Sequence, residues 1–267
     1  MILDRSSHPV QYEAGGPAAL SGAMLHTLDG DGGIFTAAEV EAAVRPPGDR
    51  YGPRSRLVSI EQTTNIGGGR VWPLETIRGV LEVAARHALR CHLDGARLMN
   101  AVVASGVPAA EYARGFDTAW IDFTKGLGAP VGAVLAGSRE LIDEAWRYKQ
   151  MMGGAMRQAG VLAAAALHAL DHHVERLATD HANARRLAEG LAAIGGVRID
   201  PALVETNIVI CEVGDAYGVC GRLWDRDVQV APLGARRLRA VTHLDVDEGD
   251  MDRALEEFRQ VLEGPGV

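Results

Sequence analysis

Short apolar runs alternate along the chain with stretches whose hydrophobic residues recur every three or four positions, the pattern of buried strands joined by amphipathic helices. Leu57 to Glu61 (LVSIE) reads as a buried strand, broken by Gly67-Gly68-Gly69. Pro73 opens a helix over 73–89, at an early position where its missing N–H is no loss. Arg90 to Leu93 is the next strand, with Asp94 at its carboxyl end; Thr118 to Phe123 (TAWIDF) is another, stopping at Thr124, and Val131 to Ala136 follows. This half is expected to be a mostly parallel sheet with flanking helices. From about Ala159 to Ile194 the pattern turns helical, with Ala-rich Gly160 to Leu170 read as a buried helix and Gly195-Gly196 as the stop. Asn207 to Glu212, Val228 to Ala231 and Leu238 to Thr242 read as short strands before a closing helix from Met251 to Leu262. The fold class is therefore α/β, with a large domain over residues 1–176 and a small C-terminal α+β domain over 177–267.

Chemistry gathers at the expected strand ends. Lys125 opens the small-residue run Gly126-Leu127-Gly128-Ala129-Pro130 after an apolar strand, where the backbone can turn tightly and approach a ligand. That is how many pyridoxal-phosphate enzymes present the amine that binds their cofactor, although most lysines beside such turns are simply solvated. Asp94 falls at the strand edge where open α/β sheets collect ligands, and a carboxylate there can pair with a protonated pyridine nitrogen. Arg97 can grip a carboxylate through two parallel hydrogen bonds. An aspartate N-cap and a surface arginine would look the same in isolation.

Larger patterns supply a context. His92-Leu93-Asp94-Gly95-Ala96-Arg97-Leu98, Lys125-Gly126-Leu127-Gly128-Ala129-Pro130-Val131-Gly132, Gly153-Gly154-Ala155-Met156-Arg157-Gln158 and Arg239-Ala240-Val241-Thr242-His243-Leu244-Asp245 together resemble the L-threonine aldolases. These are fold-type I pyridoxal-phosphate enzymes of the β-eliminating lyase superfamily, and the likeness runs from about Asp4 to Arg259. The resemblance implies pyridoxal 5'-phosphate as cofactor and retro-aldol cleavage of a β-hydroxy-α-amino acid, of the threonine or allo-threonine type, to glycine and an aldehyde. Other reactions on the same apparatus (transaldolation, β-elimination, racemisation) and a non-catalytic truncated homologue are the alternatives.

Residue by residue, the resemblance makes Lys125 the Schiff-base lysine and Asp94 the partner of the ring nitrogen. His8 stacks on the ring, and an imidazole there can move the substrate's hydroxyl proton; the sequence does not choose between His8 itself and a base beside it. Arg157 reaches the cofactor phosphate, while Arg97 and Arg239 meet the substrate carboxylate. His243 reads as a structural hydrogen-bonding residue. The resemblance also implies a homodimer or homotetramer with shared active sites. Departures are Ala155 in place of a third glycine and Gln150 where many members place a lysine. Family members further carry, before the position of His8, a strand, helices and a Ser-Gly-Thr phosphate cup, and this sequence begins almost at His8. A misassigned start or fragment, a short paralogue and an inactive remnant are the three explanations, and the intact Lys125, Asp94, Arg97 and His8 favour the first.

Composition narrows the picture. The 267 residues are 47% apolar, enough for a large core. Against 35 acidic residues stand 27 basic ones, a net charge of -8 without a basic stripe, so nucleic-acid binding and anionic membranes are not expected. No secretory signal or membrane-spanning run is visible, and Cys91, Cys211 and Cys220 form neither a disulfide frame nor a metal pair, which fits the cytoplasm. Gly67-Gly68-Gly69-Arg70 lacks the P-loop residues and the Rossmann spacing and reads as a turn between strand and helix, and no metal site is expected, since adjacent His172 and His173 diverge on a solvated helix face.

Overall fold

A computed structural model describes residues 1–264 and divides the chain into two compact units: Met1–Gly67 with Val71–Val174, and Gly68–Arg70 with the residues from Glu175 on. The first unit contains β1 (Ile2–Asp4), α1 (His8–Gln11), α2 (Gly16–Ser21), β2 (His26–Leu28), α3 (Ala37–Ala43), β3 (Leu57–Glu61), α4 (Leu74–Arg86), β4 (Arg90–Gly95), α5 (Leu98–Ser105), α6 (Ala109–Ala113), β5 (Thr118–Asp122), β6 (Ala133–Gly137), α7 (Arg139–Met151) and α8 (Gly160–His172). Its strands lie in the order β2-β1-β3-β4-β5-β6, parallel throughout except for the antiparallel β6. Leu57-Val58-Ser59-Ile60 and Ile2-Leu3 are nearly continuous apolar runs because parallel strands are covered on both faces.

The core of this unit joins Ile2, Val58, Ile60 and Leu93 of the sheet to Ile77 and Val80 of α4 and Tyr112 of α6. Phe35 meets Trp72 edge to face at 4.8 Å, both fully buried. Burying each such aliphatic side chain contributes about 2 kcal/mol relative to leaving it in water. Pro73 stands one residue outside α4 as its N-cap, and Thr36 and Glu39 close a reciprocal capping box on α3.

The strand order places a topological switch beside β1. The chain leaves β1 toward β2 on one side and returns through β3 on the other, so the segments after β1 and β3 diverge at their carboxyl ends and leave a crevice there.

The second unit contains α9 (Leu177–Ala192), β7 (Ile208–Glu212), α10 (Ala216–Trp224), β8 (Ala231–Pro232), β9 (Arg237–Val241) and α11 (Glu248–Glu263). The antiparallel sheet β7-β9-β8 shares a core with these helices through Leu187, Val209, Leu238, Leu255 and Phe258.

Two expectations change. Gly160–His172 is helical but not buried: only Ala166 and Ala169 are covered, while Val161 and Leu167 are 78% and 60% exposed. Its small residues pack one narrow stripe, and the apolar residues around it face outward. Val228 to Val230 is not a strand, because the Val228 N–H is drawn back to the Leu223 carbonyl at 2.9 Å, closing α10 with Asp227 left-handed at φ 59°. An aspartate fills the position where glycine usually marks such a cap. Gly67-Gly68-Gly69-Arg70 is the expected turn between β3 and α4, and it is anchored: the Gly69 carbonyl accepts from Thr206 Oγ1 at 2.7 Å and Arg70 pairs with Glu205 at 2.6 Å. Among the described residues no helix is long and apolar enough to cross a membrane.

Candidate active site

Asp94 ends β4 on the same cross-strand row as Glu61 of β3 and Trp120 of β5. Its side chain is buried, and one oxygen accepts the Ala96 N–H at 3.1 Å. Gly95 is required here: a Cβ would lie 2.1 Å from the Trp120 carbonyl oxygen. Burial pushes the Asp94 carboxyl above the usual carboxylate range, and the charges of Lys125, His8 and Arg97, all close enough to act on it, pull it back in part. Four of the residues chosen from the sequence are therefore brought together in the first unit.

Lys125 follows β5 on a tight turn in which Gly128 N–H donates to the Lys125 carbonyl at 2.9 Å and Ala129 N–H to the Phe123 carbonyl at 2.8 Å. Gly128 is left-handed at φ 68°, a conformation glycine adopts without strain. The amine is directed to the Asp122 carboxylate and lies 5.4 Å from the centre of the Trp120 ring. Asp122 also accepts from the Thr124 N–H and hydroxyl, both at 2.6 Å. Burial raises the Asp122 carboxyl, but Lys125 and Thr124 outweigh it and hold it below its ordinary range. The turn has a further anchor in His173, whose Nδ1 is 2.6 Å from the Leu127 carbonyl oxygen. His173 is thus not part of a solvated face, because the end of α8 brings it down on the loop.

Arg97 is the N-cap of α5, with Nη1 3.5 Å from Asn65 Oδ1 and its N–H bonded to the Gln62 carbonyl at 3.1 Å. His8 starts α1; its Nε2 lies 3.0 Å from Glu13 Oε1, and its ring is 5.3 Å from that of Tyr12. Between them sits a residue that the strand pattern did not single out. Glu61 is 7% exposed and takes the His8 N–H on Oε1 at 3.1 Å and the Asn65 N–H on Oε2 at 2.9 Å. Burial, with Asp94 alongside, raises its carboxyl to about 7, although the two N–H bonds and Arg97 pull the other way. A glutamate closing the apolar run LVSI was the available signal for a buried acid.

The two remaining arginines lie on other elements. Arg157 is exposed between α7 and α8 and makes no hydrogen bond or ion pair among the described residues. Arg239 belongs to the second unit, half-buried on the central strand β9 opposite Ile210 and Ala231. His243 in the same unit accepts the Asp245 N–H on Nδ1 at 3.3 Å, a local hydrogen bond. A cavity of about 440 Å³ opens at the opposite edge of the large sheet, beside Met1, Ile2 and Leu57, and contains none of the clustered residues. No group of histidine, cysteine or acidic residues that could hold a metal occurs among the described residues.

The donor set has the chemistry of an aromatic aldehyde site: a buried carboxylate at a strand end, an amine across from it, an imidazole and a guanidinium. Comparison with known proteins agrees with that chemistry. The family model for beta-eliminating lyases matches residues 1–214. The chain belongs to that family. A relative in Arabidopsis thaliana, a probable low-specificity L-threonine aldolase, is 40% identical over 98% of this chain and 76% of its own length, which places the chain among the threonine aldolases of the family. In fold it is similar to the threonine aldolase of Leishmania major, with a TM-score of 0.80 and 22% identity over 98% of this chain and 77% of that one. The fold is also similar to a serine palmitoyltransferase from S. paucimobilis solved with bound PLP and myriocin, with a TM-score of 0.71 and 20% identity over 97% of this chain and 65% of that one.

Proposed function

We propose that this beta-eliminating lyase cleaves a β-hydroxy-α-amino acid of the threonine or allo-threonine type into glycine and an aldehyde, with pyridoxal 5'-phosphate as cofactor. The observation that carries the reading is the convergence of Lys125, His8 and Arg97 on buried Asp94, in a chain whose relative is a threonine aldolase. When bound, pyridoxal phosphate supplies an electron sink for the pair left on the substrate α-carbon when the Cα–Cβ bond breaks.

The chain's own residues do the rest. Lys125 holds the cofactor through its amine, which Asp122 orients until then. Asp94 would pair with the protonated ring nitrogen, and its burial would make that pairing stronger than it would be in water. Arg97 would fix the substrate carboxylate, which orients the Cα–Cβ bond. His8 would stack on the cofactor ring, and it or a neighbouring group would take the substrate's hydroxyl proton; the α-carbon gains a proton as glycine forms. Arg157 holds the phosphate. Exposed Trp146, Met151 and Met152 of α7 and its C-cap, with Val161 and Leu167 of α8, support a homodimer or homotetramer with shared active sites, because a lone soluble chain rarely exposes such a patch. The free cysteines Cys91, Cys211 and Cys220 support a reducing compartment, the cytoplasm.

The test is to incubate the purified protein with pyridoxal phosphate and L-threonine or L-allo-threonine and to measure both products. Equal amounts of glycine and acetaldehyde, dependent on cofactor and lost in Lys125→Ala, are expected. Aldehyde release no faster than from cofactor alone would reject the reading.

A further inference from the structure

Glu61 is a buried carboxylate on the cross-strand row of Asp94, and the reaction above assigns it nothing. We infer that Glu61 is the positioning residue of the site, tying the segment that carries His8 to the turn that carries Asn65 and, through Asn65, to Arg97. This rests on the reading of Asp94 and its neighbours as the cofactor and substrate site.

Three features of the geometry carry it. First, the two oxygens are divided between the two lips of the switch-point crevice: Oε1 accepts the N–H of His8, after β1, and Oε2 accepts the N–H of Asn65, after β3. The segments diverge around the crevice, and the carboxylate is a side-chain bridge between them. Second, both partners lead directly to proposed functional groups. The bond to His8 fixes the start of α1 and hence where the imidazole stands. Asn65 Oδ1 faces Arg97 Nη1 at 3.5 Å, and the Gln62 carbonyl accepts the Arg97 N–H at 3.1 Å. Third, Glu61 shares the cross-strand row of Asp94, and the Gln62 N–H donates to the Asp94 carbonyl at 2.8 Å, so the bridge is built on the strand end that also positions Asp94.

Burial without an ion pair is costly for a carboxylate, and Glu61 has no ion pair among the described residues. An amide would fill the same space more cheaply but cannot accept on both sides: its NH2 would face one of the two N–H groups. The site keeps the costlier group, which is what a two-sided acceptor requires. Asp94 from β4, Arg97 from the start of α5 and His8 from α1 are the charged or titratable groups that act on it or bond to it.

Glu61→Gln, which preserves volume, provides the test in the intact chain. In the cofactor-free protein above about pH 7.5, where Glu61 is ionised, amide exchange at His8 or Asn65 should accelerate about tenfold, the order expected for loss of a hydrogen bond to a charged acceptor, while exchange at Cys91, whose N–H is held by Asp117, stays unchanged. With cofactor, Glu61→Gln should lower kcat/KM for threonine about tenfold in the wild-type background and by less than about threefold on His8→Ala, because the two residues act as one unit. Unchanged exchange at both amides, or equal losses in the two backgrounds, would overturn the inference. If Glu61→Gln does not fold, Glu61→Asp, which keeps both oxygens one methylene short, is read through the same cycle and the same exchange. Borohydride trapping of cofactor on Lys125 in the wild type separates the two claims. Trapping with additive mutational effects refutes only the role of Glu61, whereas failure to trap removes the site reading on which it rests.

Discussion

Replacing Glu61 by glutamine should change how stability depends on pH. The folded carboxyl sits at about 7 against an ordinary value of 4.5, chiefly through burial. A carboxyl raised in the folded state is one whose stability contribution is complete below the unfolded pKa and is lost as pH rises through the folded one. Below about 4.5 both states hold the proton and wild type carries no penalty. Between about 4.5 and 7 the unfolded chain releases the proton while the folded chain keeps it, and stability falls. The difference of roughly 2.5 pKa units corresponds to about 3 kcal/mol at full development. Glutamine has no such term but leaves one N–H facing its own NH2, a loss of about 1 to 2 kcal/mol at every pH. Relative to wild type, Glu61→Gln should thus be less stable by about 1 kcal/mol near pH 4.5 and more stable by about 1 to 2 kcal/mol above pH 7.5. Urea unfolding of the cofactor-free protein, followed by tryptophan fluorescence at a series of pH values, measures this; Trp72, Trp120 and Trp146, three of the four tryptophans, report on the first unit. A stability difference that stays flat from pH 4.5 to 8 would mean that Glu61 is already ionised in the folded chain, and would refute the reasoning from burial.

Two further perturbations probe the scaffold around the site. Gly95→Ala puts a methyl group within 2.1 Å of the Trp120 carbonyl, so β4 and β5 must part beside Asp94; a loss of about 2 to 3 kcal/mol in urea and about tenfold weaker cofactor binding are expected, and wild-type values for both would contradict the close approach. His173→Ala removes the hydrogen bond to the Leu127 carbonyl, which should lower stability by about 1 kcal/mol and increase proteolytic nicking at the Lys125 turn, detected by mass mapping of limited digests.

Much of the first unit was legible because its strands are apolar on both faces and its helices on one. Leu57–Glu61 matches the expected strand, and Asp94 and Lys125 fall at the strand ends where the pattern put them. The second unit was harder, since its short strands lie in a sheet of only three, where a helix cap closed by Asp227 looks like the start of a strand. Apolar content does not distinguish a core helix from one with an outward apolar face, which is why the sequence of Gly160 to Leu170 reads as buried. Within the site, groups that act on a ligand could be read from residue type and motif, whereas the groups that hold them could not. Asp122, Glu61 and His173 act through contacts made by the fold: a carboxylate under the lysine, a bridge between two segments and a ring on a loop carbonyl. Nothing in their local sequence specifies those partners.

Reductive trapping bears most directly on the central claim. The purified protein is loaded with pyridoxal 5'-phosphate, treated with borohydride, digested and mapped by mass spectrometry. The cofactor should be fixed on the peptide containing Lys125, and L-threonine added before the reductant should displace it from that lysine while glycine and acetaldehyde accumulate. Labelling at Lys149, the one other lysine of the sequence, or a Lys125 peptide that remains unmodified, would contradict the account.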